Sequence, residues 1–199
     1  MKLSVDRLRE AVSTPPRADG APQVRRAAVA MIVDPHFNVL LMQRAERVGD
    51  PWSGHLSFPG GHVEDDDAND LAAAIRETEE EIGLILTQGQ FLGALDPIQT
   101  QGRGVPRRTI ASFLFAVPQL PTVHPNDEVA AVHTIGLAPL LHGAGRSHFT
   151  LDYAHQPWRL PQVHFSGGKL WGLTLQIVDD LLHRLDGKGT GLERPVETP

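Results

Sequence analysis

The sequence predicts an α/β protein in which helices pack against a mixed β-sheet, as an α/β or α+β sandwich. Two stretches, 67–82 and 169–185, carry apolar residues at the spacing of amphipathic helices. Short apolar runs typical of strands lie before, between and after these stretches. Elements that alternate in this way bury their apolar sides against one another in layers. The 199 residues suit one domain of moderate size.

The first part of the chain predicts a helix, a linker and a hairpin. Residues 2–12 place apolar side chains among charges, as in a short amphipathic helix, and 13–22 are typical of a linker. We therefore expect residues 1–23 to precede the main domain. From Val24 the run VRRAAVAMIV predicts a buried strand, DPHFN a turn and VLLMQR a second strand. Residues 45–61 predict a loop or short strand that ends in SFPGG.

The strongest helix signal runs from Asp67 to Ile82. Acidic residues lie at its start, and Gly83 can close its C-terminus. Its apolar face comprises Leu71, Ala74, Ile75, Thr78 and Ile82.

The remaining elements alternate again. Strand-like runs lie near 91–96, 109–117 and 129–135, followed by a short helix near 136–142. Residues 148–165 are irregular or strand-like, and 169–185 form the second clear helix. We expect the domain to span 24–186, and the tail 187–199, which has little to bury, to be disordered.

Composition excludes several classes of function. The chain has no cysteine, which rules out disulfides, thiolate metal sites and a cysteine nucleophile. With 18 Lys and Arg against 24 Asp and Glu, its net charge of −6 argues against nucleic acid as a partner. No stretch is apolar enough to span a membrane, and the start has charges where a signal peptide needs an apolar core. We therefore expect a cytoplasmic protein with no membrane partner.

The run RETEEEIGL, from Arg76 to Leu84, is the most informative part of the sequence. At about 100° per residue, Glu77, Glu80 and Glu81 share one sector of the helix. Their repulsion destabilises the helix, and a divalent cation would offset it. Hard oxygen ligands suit Mg²⁺ or Mn²⁺. Arg76 can fix a carboxylate by a bidentate pair. The alternative is a solvated acidic helix face.

With the residues before it, this run resembles the Nudix box, the signature Gx5Ex7REUxEExGU in which U is a bulky aliphatic residue. The matching positions are Gly61, Asp67, Arg76, Glu77, Glu80, Glu81, Gly83 and Leu84. Asp67 replaces the glutamate, Thr78 replaces an aliphatic residue, and eight residues instead of seven separate Asp67 from Arg76. A helix cap is an alternative role for residues 64–67.

The resemblance implies a Nudix-type α/β/α sandwich with a mixed β-sheet. It also implies that Mg²⁺ or Mn²⁺ is held mainly by Glu77, Glu80 and Glu81, with the Gly60 carbonyl as a further ligand. A later glutamate serves in this family as an extra ligand or as the base, and Glu128 is the candidate. The alternative for Glu128 is a charged residue that opens the strand 129–135.

The segment LLMQRAERVGDPWSGHLSFPGG is similar to the pattern LLTxRSx3Rx3Gx3FPGG of the coenzyme A (CoA) diphosphatase branch of that family. The matching residues are Leu40, Leu41, Arg44, Gly54, Phe58, Pro59, Gly60 and Gly61. Met42 and Ala45 depart from it, the spacing from Arg44 to Gly54 is one residue longer, and Arg47 is nearest to the second basic position. NDEVAAV, and WGLT from Trp171 to Thr174, also look like that branch.

These likenesses imply hydrolysis of CoA, or its derivatives, to 4′-phosphopantetheine and adenosine 3′,5′-bisphosphate. The candidate substrate-binding residues are Arg44, Arg47, Gly60, Gly61, Arg107 and Arg108, with Arg103 in the same loop as the last two. A mobile, solvated loop is the alternative for that loop. Other functions remain open: hydrolysis of another nucleoside diphosphate derivative such as NADH, ADP-ribose or a nucleoside triphosphate, or a noncatalytic nucleotide-sensing module.

Overall fold

An eight-stranded mixed sheet lies at the centre of the fold in this computed structural model, which describes residues 3–12, 25–50, 52–100, 107–153, 156–186 and 196–197. The expected linker, residues 13–22, lies outside these residues, as does Arg103. The strands of the sheet are β1 (Arg25–Val33), β2 (Asn38–Arg44), β3 (Leu56–Ser57), β4 (Gly60–His62), β5 (Phe91–Ala94), β6 (Ile98–Gln99), β7 (Arg108–Ala116) and β8 (Val129–Gly136).

Strand β1 organises this sheet. It pairs in parallel with β7 over its whole length, from Arg25 opposite Arg108 to Val33 opposite Ala116. Its other edge is shared by β4, which pairs antiparallel with residues 27–29, and by β2, which pairs antiparallel at Val33. Because β4 occupies that edge, the predicted hairpin of β1 and β2 is paired only near its turn. The strand β2 instead pairs along its length with β8.

Four α-helices are described: α1 (Val5–Glu10), α2 (Asp70–Ile82), α3 (Leu137–Leu141) and α4 (Gly172–Leu185). The predicted start of α2 at Asp67 was wrong, because the side chain of Asn69 accepts a hydrogen bond from the Ala72 amide at 3.0 Å and caps the helix there. Its predicted end is correct, with Gly83 left-handed at φ 68°.

A second, four-stranded sheet follows the first. It contains β9 (Arg146–Tyr153), β10 (Gln156–Phe165), β11 (Gly168–Trp171) and β12 (Val196–Glu197), with β10 at its centre. The prediction that the second long helix starts at residue 169 was wrong, since 169–171 belong to β11 and the helix starts at Gly172. Of the tail predicted to be disordered, only 196–197 are described, paired with β10.

The central sheet separates two cores, and β1 contributes to both by alternation. Ala28, Ala30 and Ile32 are buried on the α2 side. Met31 and Val33 are buried on the other side, with apolar residues of α1, α3 and α4. Helices thus cover both faces of a mixed sheet, which confirms the predicted α/β/α sandwich. None of the described helices is long and apolar enough to cross a bilayer.

Candidate active site

Two glycines bring strand β4 into contact with β1 and α2. Gly60 has a φ of +143°, and a Cβ at this residue would lie 2.2 Å from the Ala28 carbonyl oxygen. At Gly61 a Cβ would lie 2.5 Å from the carboxylate of Glu77. Only glycine fits at residue 60, where the neighbouring atoms are backbone, whereas a side chain at residue 61 would displace the Glu77 carboxylate. The absence of side chains lets the turn approach the acidic face of α2.

Glu81 is the buried carboxylate of this face, with 4% of its surface exposed. Its Oε2 accepts a hydrogen bond from the Gly60 amide at 2.8 Å. Burial raises the pKa of Glu81 to about 8, although the Gly60 hydrogen bond and the positive charge of Arg44 oppose the rise. The negative charges of Glu77 and Glu128 add to it. An ionised Glu81 therefore lacks sufficient positive charge around it.

Glu77 and Glu80 lie in different surroundings. Glu77 is partly buried against Gly61, and burial raises its pKa despite the contact of its Oε1 with Arg76 Nη1 at 3.2 Å. The Glu80 side chain is 55% exposed and its Oε2 accepts a hydrogen bond from Arg76 Nη1 at 3.1 Å. The three glutamates therefore form a series from buried to exposed along one helix face.

Arg76 is held by Asp67, the residue that replaces the usual glutamate. Its Nε and Nη2 donate to the two Asp67 carboxylate oxygens at 3.0 and 2.9 Å, and Nη2 also donates to the His62 carbonyl at 3.1 Å. The Arg76 hydrogen bond lowers the pKa of Asp67. The cap role considered for residues 64–67 falls instead to Asn69. The additional residue before Arg76 therefore does not prevent Asp67 from reaching it.

Thr78 occupies the position where the signature has an aliphatic residue. It is fully buried, and its hydroxyl donates to the Ala74 carbonyl at 2.6 Å. The hydroxyl is thus satisfied within the helix, and the side chain serves as a small core residue.

The donor set fits a hard divalent cation. Among the described residues no three His, Asp or Glu side chains are grouped closely enough to hold a metal as they stand. However, Glu77 and Glu81 both face the glycine turn, and burial raises the pKa of each. A cation would supply the missing positive charge, and carboxylate oxygens are the ligands of Mg²⁺ and Mn²⁺. Glu80 lies beside them, paired with Arg76.

Arg44 and Arg47, two of the predicted substrate-binding arginines, hold the loop 45–55 against the site. Arg44 Nη2 contacts Asp50 at 2.9 Å, and the Arg44 carbonyl accepts from the Gly54 amide at 3.1 Å. Arg47 Nη1 contacts Glu128 Oε1 at 3.1 Å, and the Ala45 amide donates to the Glu128 carbonyl at 2.8 Å. The start of β8 is thereby joined to this loop.

The C-terminal helix contacts the same region. Thr174 Oγ1 donates to the Leu56 carbonyl at 3.0 Å, and the rings of His55 and Trp171 lie 4.8 Å apart. The loop 45–57, the start of β8 and the segment 171–174, which are distant in sequence, therefore meet beside the glycine turn.

The loop 101–108 is only partly described. Arg107 is exposed, while Arg108 begins β7 and its guanidinium lies 5.4 Å from the centre of the Trp52 ring. The structure thus brings Arg108 to the loop 45–55, whereas none of the described contacts joins Arg107 to the glutamates.

Sequence reasoning missed Asn126, which caps the C-terminus of α2. Its amide donates to the Glu81 carbonyl at 2.8 Å and its Nδ2 to the Glu80 carbonyl at 3.0 Å. Its Oδ1 accepts from the Glu128 amide at 2.8 Å. The available signal was general: the last carbonyls of a helix need donors, and an Asx residue just before a strand can provide them.

Comparison with known proteins identifies the family. Residues 23–152 match the NUDIX domain. NudL of Escherichia fergusonii, described as an uncharacterized Nudix hydrolase, is 32% identical over 163 residues, which cover 79% of this chain and 81% of that protein. NudL of Escherichia coli strain K12 has the same identity and coverage.

Solved structures agree in fold. The MutT protein of Methanosarcina mazei Go1 superimposes with a TM-score of 0.55 at 17% identity, covering 85% of this chain and 98% of that one. A MutT/nudix family protein from Enterococcus faecalis also gives 0.55, at 18% identity, covering 86% and 64%. The family match over most of the chain, the identity to NudL and the shared fold lead to one conclusion: this chain belongs to the Nudix hydrolase family.

Proposed function

We propose that this Nudix hydrolase cleaves the diphosphate of CoA or its derivatives, releasing 4′-phosphopantetheine and adenosine 3′,5′-bisphosphate. The observation that carries the proposal is the meeting of the loop 45–57, the start of β8 and the segment 171–174 beside the glycine turn. These are the three segments outside the Nudix box whose sequences resemble the CoA diphosphatase branch. Their contacts give that resemblance a common location next to the glutamates.

Nudix hydrolases generally use a divalent cation such as Mg²⁺ or Mn²⁺. We assign Glu77 and Glu81 as its principal ligands here, with Glu80 and the Gly60 carbonyl completing the set. When bound there, such a cation would supply Lewis-acid chemistry that lowers the pKa of water and would screen the negative charge of the diphosphate. In the hydrolysis, one P–O bond to water oxygen forms, the bridging P–O bond breaks, and the water loses a proton.

The chain's own residues prepare the site for this reaction. Arg76, fixed by Asp67, contacts Glu77 and Glu80 and so orients both carboxylates. Gly60 and Gly61 let the turn lie directly against β1 and the Glu77 carboxylate. Glu128 lies close enough to Glu81 for its charge to raise the Glu81 pKa, and we assign it as a further ligand or as the proton acceptor.

Local arginines supply the positive charge that an anionic substrate needs. The protein carries a net charge of −6, and CoA is itself an anion. We propose that Arg44, Arg47 and Arg108, which border the loop 45–55, bind its phosphates, with Arg107 at the edge of the same region. A local cluster of this kind suffices whatever the global charge is.

The assay that tests the proposal offers the purified protein several substrates with Mg²⁺ or Mn²⁺. CoA, NADH, ADP-ribose and a nucleoside triphosphate are compared, and the products are identified by chromatography and mass spectrometry. We expect CoA to give the highest kcat/KM, with adenosine 3′,5′-bisphosphate as a product. Preferred turnover of another compound would assign a different Nudix substrate, and tight nucleotide binding without turnover would indicate a sensing module.

A matched set of glutamate variants tests the site. Glu81→Gln and Glu80→Gln should each lower kcat by at least about a hundredfold, because each removes a charged oxygen ligand. Glu79→Gln is the control, since Glu79 is exposed on the same helix and outside the cluster. Circular dichroism confirms that each variant is folded. Near wild-type turnover by Glu81→Gln or Glu80→Gln would remove that residue from the site.

A further inference from the structure

Strand β11 presents a lysine above two aromatic rings. Lys169 and Trp171 are two residues apart on the strand, so their side chains lie on the same face. Lys169 Nζ lies 4.1 Å from the centre of the Phe149 ring and 5.5 Å from that of Trp171. The two rings meet edge to face, with centroids 5.1 Å apart. Together Phe149, Lys169 and Trp171 form what we call the cationic platform.

The cationic platform adjoins the candidate active site through His55. The His55 ring lies 4.8 Å from that of Trp171, and the His55 carbonyl accepts a hydrogen bond from the Arg44 amide at 3.0 Å. Burial lowers the pKa of His55, and the positive charge of Lys169 lowers it further. Arg44 in turn acts on Glu81 by its charge. The platform therefore lies beside the loop 45–55, and His55 of that loop connects it to Arg44.

Lys169 differs from Arg44, Arg47 and Arg76 in having no salt-bridge partner among the described residues, a property that it shares with Arg108. Arg44 contacts Asp50, Arg47 contacts Glu128, and Arg76 contacts Asp67. No salt bridge between described residues includes Lys169, and its side chain is exposed. Its ammonium is positioned by its contacts with the two rings, and the exposure of the side chain leaves it available to an anion.

We propose that the cationic platform is a specificity site for the 3′-phosphate of a nucleoside 3′,5′-bisphosphate group, bound by Lys169 where its ammonium lies exposed over the half-buried rings of Phe149 and Trp171. This inference rests on the proposed CoA hydrolysis. In it, residues outside the Nudix box recognise a phosphate that is not cleaved. A compact ammonium suits a phosphomonoester. The scissile diphosphate is left to the arginines and the glutamates.

The test compares two substrates that differ only in the 3′-phosphate, CoA and dephospho-CoA. Lys169→Gln should raise KM for CoA about tenfold or more, the size of one lost hydrogen bond to a charged group, and leave kcat unchanged. Its KM for dephospho-CoA should stay within about twofold of wild type. Lys169→Arg, which keeps the charge, should retain most of the preference for CoA.

Arg159→Gln is the matched control, because it removes an exposed positive charge from β10 of the same sheet, away from the rows that pair with β11. An equal rise in KM for both substrates, or an equal effect of Arg159→Gln, would overturn the inference. Calorimetry with adenosine 3′,5′-bisphosphate and with 5′-AMP gives a second readout, since Lys169→Gln should weaken binding of the first ligand only. If the wild type cleaves no CoA, the proposed function fails; if it cleaves both substrates and Lys169→Gln leaves their ratio unchanged, only this inference fails.

Discussion

Three glutamates that share one sector of a helix differ in the environment that the rest of the chain gives them. The sequence predicts that Glu77, Glu80 and Glu81 face the same way, because helical spacing alone decides that. The structure adds that Glu81 is buried under Gly60 while Glu80 is largely exposed. Helical spacing could not predict this difference, since burial depends on which strand lies opposite the helix. That strand is β4, whose position is set by its pairing with β1.

The buried position of Glu81 predicts a pH-dependent cost in the metal-free protein. Its pKa is about 8 in the folded state against an ordinary value of 4.5, so the folded protein holds a proton that the unfolded chain releases between these pH values. Because of Glu81, the stability of the folded protein falls as the pH rises from 4.5 to 8, and this loss is complete above pH 8. At pH 9, Glu81→Gln should be more stable than wild type by the order of a few kcal/mol.

At pH 4.5 or below, the two proteins should be nearly equal in stability, because Glu81 is then neutral in both states. Denaturant unfolding in the presence of a chelator measures the difference at each pH. A stability difference that does not change with pH would contradict the assignment of the cost to Glu81.

At the scale of single elements, the interior of α2 is better predicted than its ends. Its apolar face follows from periodicity, but the caps expected from the sequence were residues 64–67, and Asn69 was not among them. Only the fold decides the cap, because Arg76 engages Asp67 and leaves Asn69 to cap. The start of α4 was misplaced for a similar reason, since residues 169–171 continue the helical pattern but pair with β10 instead.

The C-terminal end of α2 gives a prediction for Asn126. Asn126→Ala removes the hydrogen bond from Nδ2 to the Glu80 carbonyl and the one accepted from the Glu128 amide. We expect the free energy of unfolding to fall by about 1 kcal/mol, since the side chain is exposed and water partly replaces it. We also expect kcat to fall, because these bonds position Glu80 and Glu128.

Asp127→Ala is the control for that variant, as Asp127 is the exposed neighbour in the same loop. Thermal unfolding and steady-state kinetics measure the two effects. Equal behaviour of Asn126→Ala and Asp127→Ala would show that the cap has no influence on either.

For the whole molecule, the layers were predictable and the pairing of strands was not. Two long amphipathic helices require two apolar surfaces, and alternation in β1 supplies both. The insertion of β4 beside β1 depends on the close approach of Gly60 to the β1 backbone, which no local pattern reveals. The second sheet was only suggested, because β10 buries just Gln162 and Val163 and so lacks the alternation of a half-buried strand.

The core on the α4 side includes α1, which predicts that the N-terminal helix stabilises the whole domain. Leu8 is 1% exposed, Arg7 donates to the Leu185 carbonyl, and Arg184 Nη1 donates to the Ala11 carbonyl at 3.3 Å. Leu8→Ala should lower the free energy of unfolding by about 2–5 kcal/mol through the cavity it creates.

Val5→Ala is the matched control on the same helix, since Val5 is 40% exposed and its truncation should have little effect. Denaturant unfolding of both variants measures the difference. A small effect of Leu8→Ala would mean that α1 is dispensable for the stability of the domain.

The hydrogen bond from Thr174 to the Leu56 carbonyl joins residues 118 positions apart. During synthesis on a ribosome, the three glutamates of α2 therefore emerge long before the side chain that fastens the loop beside them. A growing chain that ends before residue 171 carries the whole acidic helix but neither Trp171 nor Thr174. The translation of α4 thus determines when the loop beside the site becomes fixed.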